Sequence, residues 1–384
     1  MEVRNNKIFQ GSRLRLARTF QGLTLAEVGE RLSVTRQYIQ KIESATDGSS
    51  PSEEMIAALA EIVEVPVSFF FEPVPAELSE EECFFRKRRT TPQHVQLRAV
   101  SYGMIFNSIL ERLEQDIELP EVNVPDIPIS SREEIERAAE KCRLLWGLFL
   151  DAPIQNMTRV LERAGCVVTT FAGVSEKIDA FSYFRDRPVI VRSLDKGSPS
   201  RARFDLAHEL GHLVMHRNLQ PGNPELEDQA NYFGSAFLLP RAGFLREFPS
   251  GRLDWTAIVN LKKRWGASMQ AIVRRAYDLN LITAVQYRNA QVHFSRTKQR
   301  TNEKGEEFIL DETPEVVKEG IILFQENFSV SPSKFLKDIN LNVEIFEKFG
   351  IEMQIIDKIT HNKSTKIIPI EKYRNSQLRE KYNE

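Results

Sequence analysis

Cysteine is scarce: Cys83, Cys142 and Cys166 are the only three in 384 residues. They are far apart and form no C-x-x-C pair, which excludes a disulfide scaffold and favours a reducing compartment. No apolar run approaches the ~20 residues that a membrane-spanning helix needs. The opening stretch MEVRNNKIFQ also lacks the apolar core of a signal peptide. A cytoplasmic protein with no membrane partner is therefore expected. Excess charge is lacking too, with a net of −2, but the balance is local: from residue 1 to 45, eight Lys/Arg stand against four Asp/Glu, a net of +4. That permits a nucleic-acid partner at this end. At 384 residues the chain exceeds one typical core, so two or three domains are expected.

Histidine is nearly as rare, six in all, and three fall within nine residues of the stretch RFDLAHELGHLVMH, 203–216. His208, Glu209 and His212 form H-E-x-x-H. Residues four apart on a helix stand on one face, so both imidazoles can reach one small ion. Glu209 can lean over a water on that ion and take its proton. Phe204, Leu206, Ala207, Leu210, Leu213 and Val214 give the helix an apolar body suited to burial. His216 continues the stripe near the helix end, where an imidazole more often caps carbonyls or meets the C-terminal dipole. It is left outside the ligand set.

A hydrolytic zinc site takes three protein ligands and keeps one position open. Downstream, Ala230, Phe233, Phe237 and Leu238 mark the apolar face of a second helix that Pro240 ends. Glu227 begins this helix and Asn231 stands four residues on, which suits a ligand carboxylate and an amide that orients it. Glu225 and Asp228 are rivals, because one register slip would exchange them.

This combination, with E-x-x-A-N-x-F and Leu-Leu-Pro following the first motif, resembles the ImmA/IrrE-type zinc metallopeptidases over residues 131–240. The resemblance implies a zincin-like, gluzincin-like α+β domain that binds zinc (Zn2+). It maps the ligands to His208, His212 and Glu227 and the general base to Glu209. Gly234 departs from the alanine usual there.

The N-terminal 73 residues read as about five short helices. Thr24 caps the second, with Glu27 completing a capping box; Ser33-Val34 make a turn, and Thr35 caps the third. Ile39 and Ile42 face inward there, leaving Arg36, Gln37, Gln40 and Lys41 outward. Two short helices joined by a tight turn form a major-groove reader: Gln suits adenine, Arg suits guanine, and Lys41 and Arg18 suit phosphate. A helical bundle with a solvated basic face reads equally well from spacing alone. The string GLTLAEVGERL-x-VT-x-x-YI-x-KIE resembles the Cro/repressor (XRE) helix-turn-helix family over residues 13–71, which implies double-stranded DNA bound through residues 11–45. Leu25 stands where a backbone-clamping glutamine is common.

The rest of the chain divides less sharply. Residues 74–130 read as a linker holding the basic run Phe84-Phe85-Arg86-Lys87-Arg88-Arg89, whose phenylalanines point to docking on protein and whose cations could grip phosphate. An amphipathic helix over 91–119 follows, with Ile105, Ile109, Leu113 and Ile117 in a stripe that could pair within the chain or with a second copy. A peptidase domain over 131–245 opens with helices capped by Ser131 and running 154–164. Apolar stretches at 166–171, 180–184 and 188–191 read as strands, with a hairpin at Arg185-Asp186. In related-looking peptidases a strand such as Val189, Ile190 and Val191 pairs with the substrate backbone. Tyr183 and Tyr232 are weak oxyanion candidates that read better as core. A helical extension over 246–295, with Arg274 and Arg275 exposed, reads as a lid. Residues 296–384 carry a strand-like stretch at 307–310 and no evident role. The resulting expectation is a multidomain, mainly α regulator. It would join a DNA-binding head to a zinc endopeptidase that cleaves a partner repressor or regulatory protein, encoded by a neighbouring gene, upon a stress, phage or mobile-element signal. The rival reading is a non-proteolytic repressor or antitoxin whose zinc domain senses or binds a partner; unselective proteolysis is disfavoured by the attached DNA reader.

Overall fold

The computed structural model describes residues 8–45, 50–87, 91–173, 178–194, 198–251, 253–300, 303–328 and 331–351. Arg88 and Arg89 of the basic run, and residues 352–384, lie outside the described residues. Helices α1 (Gly11–Gln21), α2 (Leu25–Arg31), α3 (Arg36–Glu43) and α4 (Glu53–Ile62), closed by a 3-10 turn at Val67–Phe71, make the N-terminal bundle. Its boundaries are set by local chemistry. Thr24 accepts from the Glu27 amide while the Glu27 carboxylate accepts from the Thr24 amide, and the Thr35 hydroxyl caps α3. The turn between α2 and α3 is tight enough that a Cβ on Gly29 would meet the Val34 carbonyl at 2.8 Å. Leu14, Phe20, Val28, Ile39, Leu59 and Phe70 are fully buried inside; each large side chain of this kind contributes about 1.5–3 kcal/mol.

A short strand β1 (Phe84–Lys87) leads to α5 (Gln93–Glu114), then α6 (Arg132–Leu145) and α7 (Met157–Arg163). Three further strands follow: β2 (Val167–Phe171), β3 (Ile178–Phe184) and β4 (Pro188–Ser193). The strand order is β1-β3-β4-β2, with β1 antiparallel to β3, β3 antiparallel to β4, and β4 parallel to β2. Helices α8 (Pro199–Met215), α9 (Pro224–Leu238) and α10 (Arg241–Glu247) come next, and α11 (Trp255–Trp265), α12 (Met269–Asp278) and α13 (Ala284–Arg296) complete the middle of the chain. The C-terminal part holds α14 (Val316–Phe328), α15 (Pro332–Asp338) and α16 (Val343–Lys348).

The sheet separates two cores, because alternate residues of a strand face opposite sides. Val167, Phe171, Phe181, Val189 and Val191 face a core shared with the N-terminal bundle, α5 and the C-terminal helices. Val168 and Ile190 face a second core built on α6, α8, α9, α11 and α12. The helix expected over 91–119 is therefore a buried axis and no linker. Its Ile105, Ile109, Leu113 and Ile117 are spent inside the chain, which removes the ground for a second copy docking there. Phe20 stacks on Tyr102 of α5 at 4.2 Å, and Phe349 packs on Phe20, Tyr102 and Phe106, so residues up to 351 tie the bundle to α5.

Three expectations about the later chain change. Glu306–Phe308 is a 3-10 turn where a strand at 307–310 was expected; Glu306 accepts from Ser198, Ser200 and Lys262, which holds the segment against the start of α8. The helices after residue 254 are core and no lid, since Ile258, Trp265 and Ile272 are fully buried. Arg275 is likewise buried, paired with Glu136 at 2.5 Å, whereas Arg274 remains at the surface beside Asp278. All three cysteines are buried and free, and burial pushes the Cys142 and Cys166 thiols up to about 12. Among the described residues no helix is long and apolar enough to cross a membrane.

Candidate metal centre

Helices α8 and α9 cross where both are slim. A Cβ on Gly234 would stand 3.1 Å from the His208 backbone nitrogen, and one on Gly211 would stand 3.2 Å from the Ala230 Cα. Glycine at 234 thus permits an approach that any Cβ there would crowd. The crossing sets the first turn of α9 over the H-E-x-x-H face of α8. His208, His212 and Glu227 then offer ligand atoms that all lie within 4.8 Å of one another. The two Nε2 atoms are 3.1 Å apart, and Glu227 oxygens approach each of them at 3.4 Å. Glu225 and Asp228 are exposed on the far side of the same turn, so helix phase selects Glu227. Asn223 caps α9 through the Glu225 amide, and a carboxylate in this first turn is also favoured by the helix dipole.

The hydrogen bonds behind the rings fix which nitrogen carries the proton. Arg86 Nη1 donates to Asn231 Oδ1 at 3.0 Å, and a guanidinium only donates, so the Asn231 atom facing this cluster is oxygen. The same oxygen lies 3.0 Å from His208 Nδ1, which must then carry its proton and leave a lone pair on Nε2. A second chain runs behind His212. Gln229 Nε2 donates to Glu225, turning Gln229 Oε1 toward His216 Nε2 at 2.9 Å. His216 therefore donates from Nε2 and accepts at Nδ1 from His212 Nδ1, 3.0 Å away, and His212 also keeps its Nε2 lone pair. Asn231 orients His208, where it was expected to orient Glu227. His216 orients His212, where a capping role was expected.

Electrostatics agree. Burial, reinforced by Arg86, pushes His208 down to about 3, and burial with neighbouring His212 pushes His216 down to about 4; burial lowers His212 too. The rings are neutral near pH 7, as ligation requires. Three lone-pair donors thus converge on one point, a set of nitrogen and oxygen atoms that fits zinc.

Glu209 stands beside this set without joining it. The Ser182 hydroxyl donates to its Oε2 at 2.5 Å, and its buried Oε1 has no hydrogen-bond partner among the described residues. Burial raises its carboxyl well above the ordinary value, against the hydrogen bond from Ser182. Tyr183 is buried and bonds Asn107, as its reading as a core residue anticipated, whereas Tyr232 is half-buried and donates to Glu136. Ser182 and Arg86 contact residues of the candidate site, and sequence reasoning missed both contacts. The alternation of 180–184 could have placed Ser182 on the opposite face from Phe181 and Tyr183, but nothing in it named the facing helix. Val189, Ile190 and Val191 do not meet their expectation: β4 is interior, paired with β3 on one side and β2 on the other, so no backbone edge is left for a substrate.

On α3, Arg36, Gln37, Gln40 and Lys41 are exposed as expected, together with Tyr38. Arg18 is withdrawn: it pairs with both Glu43 oxygens at 2.5 and 2.9 Å and donates to the Leu23 carbonyl. It braces α1 against α3 and is not placed to hold a phosphate.

Residues 161–277 match the family model described as the IrrE N-terminal-like domain, and residues 11–68 match a helix-turn-helix domain model. Among curated proteins, uncharacterized HTH-type transcriptional regulators of Sinorhizobium medicae (strain WSM419) and Rhizobium meliloti (strain 1021) are each 43% identical over 70 residues. That stretch is 18% of this chain, which spans about half, 49%, of the length of the curated relatives it matches. The chain thus carries a helix-turn-helix domain at its N-terminal end, followed by an IrrE N-terminal-like domain of peptidase family M78.

Proposed function

We propose that this protein is a DNA-binding transcriptional regulator whose second domain is a zinc endopeptidase acting on a partner repressor or regulatory protein in response to stress, phage or mobile-element signals. The observation that carries the reading is the convergence of His208, His212 and Glu227 with each imidazole tautomer set from behind. A zinc ion held by His208, His212 and Glu227 would supply Lewis acidity, enough to polarise a peptide carbonyl and to bring the pKa of a water to about 7. Glu209 accepts the proton of the attacking water at Oε1 and returns it to the leaving nitrogen, while Ser182 holds Oε2 still. Asn231 and His216 keep the two rings aimed. At the other end of the chain, Arg36, Gln37, Gln40 and Lys41 face a DNA major groove, as their exposure on a capped helix allows.

The test is to incubate the product of the neighbouring gene with the full chain, with zinc and then with excess chelator, and to follow cleavage on a gel. Cleavage that needs zinc and stops on chelation is the expected result; an intact partner in both reactions would remove the peptidase reading. A second expectation concerns His216. Its replacement by leucine is expected to weaken zinc binding by roughly 10–100-fold, the usual effect of losing a partner behind a ligand. His216→Gln, whose amide oxygen can again accept from His212 Nδ1, is expected to recover part of the loss. Competition with a chromophoric zinc chelator measures both.

A further inference from the structure

His208, Glu209 and His212 are fully buried, and of the ligand set Glu227 alone reaches solvent, with 34% of its side chain exposed. What closes the centre on the sheet side is β1, a four-residue strand on the outer edge of β3. The register places Phe84 opposite Ser182, Phe85 opposite Phe181 and Arg86 opposite Ala180. Strand alternation turns Phe85 into the core beside Phe181 and turns Phe84 and Arg86 toward α8. Phe84 lies flat on the His212 ring, centroids 4.5 Å apart at 17°, directly across from the serine that holds Glu209. Arg86 reaches Asp205 at 2.6 Å, with Phe204 beneath its guanidinium at 5.2 Å.

We propose that the outer edge of β3 is the peptide-binding edge of the centre and that Phe84–Arg86 occupy it in cis as a substrate-like strand. The partner this edge takes is an extended segment with an aromatic residue followed two positions later by arginine. The inference rests on the peptidase reading for its meaning, but not for its test. Main-chain pairing to an edge strand gives an extended segment its affinity, and alternate side-chain pockets give it selectivity. Here those pockets are the His212 face for an aromatic ring and the Asp205–Phe204 pair for a guanidinium. A strand of four residues is short enough to be displaced by a better occupant. The β4 stretch, lacking a free edge, cannot serve.

Fluorescence anisotropy on the full chain, carrying Glu209→Gln so that nothing is cleaved, tests the proposal with a labelled Ala-Phe-Phe-Arg-Ala peptide. Because apparent affinity scales with the fraction of molecules whose edge is open, adding Phe84→Asp should tighten binding at least tenfold. A control peptide with glutamate in place of arginine should bind weakly to both proteins. Equal binding with and without Phe84→Asp, or no binding by either while both are folded by circular dichroism, overturns the proposal. So does equal binding of the control peptide. Should Phe84→Asp not fold, hydrogen exchange on the otherwise unaltered protein decides: the amides of residues 84–86 must lose protection as peptide is added, and unchanged protection counts against it. Peptide binding without any zinc-dependent cleavage by the native chain sinks the peptidase reading alone. Cleavage that the peptide does not compete sinks this inference alone.

Discussion

Glu209→Gln is expected to reduce cleavage of the partner protein by roughly 10²–10⁴-fold, the range for loss of a positioned general base, while zinc content and fold persist. The two outcomes separate because Glu209 is not among the converging ligand atoms: these come from His208, His212 and Glu227. Glutamine matches glutamate in shape, and its amide oxygen can still accept from the Ser182 hydroxyl that now reaches Oε2 at 2.5 Å. What it cannot do is take a proton at the position of Oε1, the buried oxygen with no partner among the described residues. Burial raises the Glu209 carboxyl, which makes its carboxylate a stronger proton acceptor than an exposed glutamate. Cleavage time courses, zinc content by mass spectrometry and a thermal melt check the three parts. Full cleavage by the variant would remove Glu209 from the reaction. An unaltered regulatory phenotype together with intact DNA binding would favour a repressor or antitoxin that uses the zinc domain to bind or sense a partner; the closed state of the centre is the feature of the fold that fits this rival.

The legible parts of this chain are those fixed by neighbours in sequence. H-E-x-x-H sets its own geometry within one helix turn, and Thr24, Thr35 and Ser198 announce helix starts because a cap bonds an amide two or three residues on. Glu227 was favoured over Glu225 and Asp228 by its place on the helix, and its carboxylate is the one whose oxygens stand within 4.8 Å of the His208 and His212 ligand atoms. The illegible parts depend on which segments meet across the chain. Three strands were readable from their apolar, β-branched runs, but such runs carry no strand order, so nothing marked β4 as interior or Phe84–Lys87 as a strand paired with β3. Arg86 reaches Asn231 across 145 positions, and Arg18 is consumed by Glu43 across 25, so one was missed and the other over-read as a phosphate contact. His216 illustrates the intermediate case. Its i,i+4 spacing from His212 was visible, but its role waited on Gln229 arriving from α9.

Glu136→Ala is expected to destabilise the second domain by roughly 3–5 kcal/mol, the loss typical when one member of a buried ion pair is removed. Glu136 of α6 and Arg275 of α12 are 2% and 0% exposed, and they meet through two hydrogen bonds of 2.5 and 2.9 Å. Arg275 also donates to the Leu239 carbonyl at the end of α9, and Tyr232 of α9 donates to Glu136, so three helices are joined through the pair. Alanine would leave a guanidinium with no counter-charge among the groups that now bond it, where water cannot readily compensate. For a unit of 150–250 residues each kcal/mol shifts Tm by about 2–4 °C, so a fall of roughly 6–20 °C is expected in a circular-dichroism melt. The double change Glu136→Leu with Arg275→Met removes both charges at similar volume and is expected to recover most of the loss, because two buried ions are costly to desolvate in the first place. A single variant that melts within about 2 °C of the parent would mean that α12 is not braced through this pair. The helices after residue 254 would then be as loosely attached as the lid they resembled in sequence.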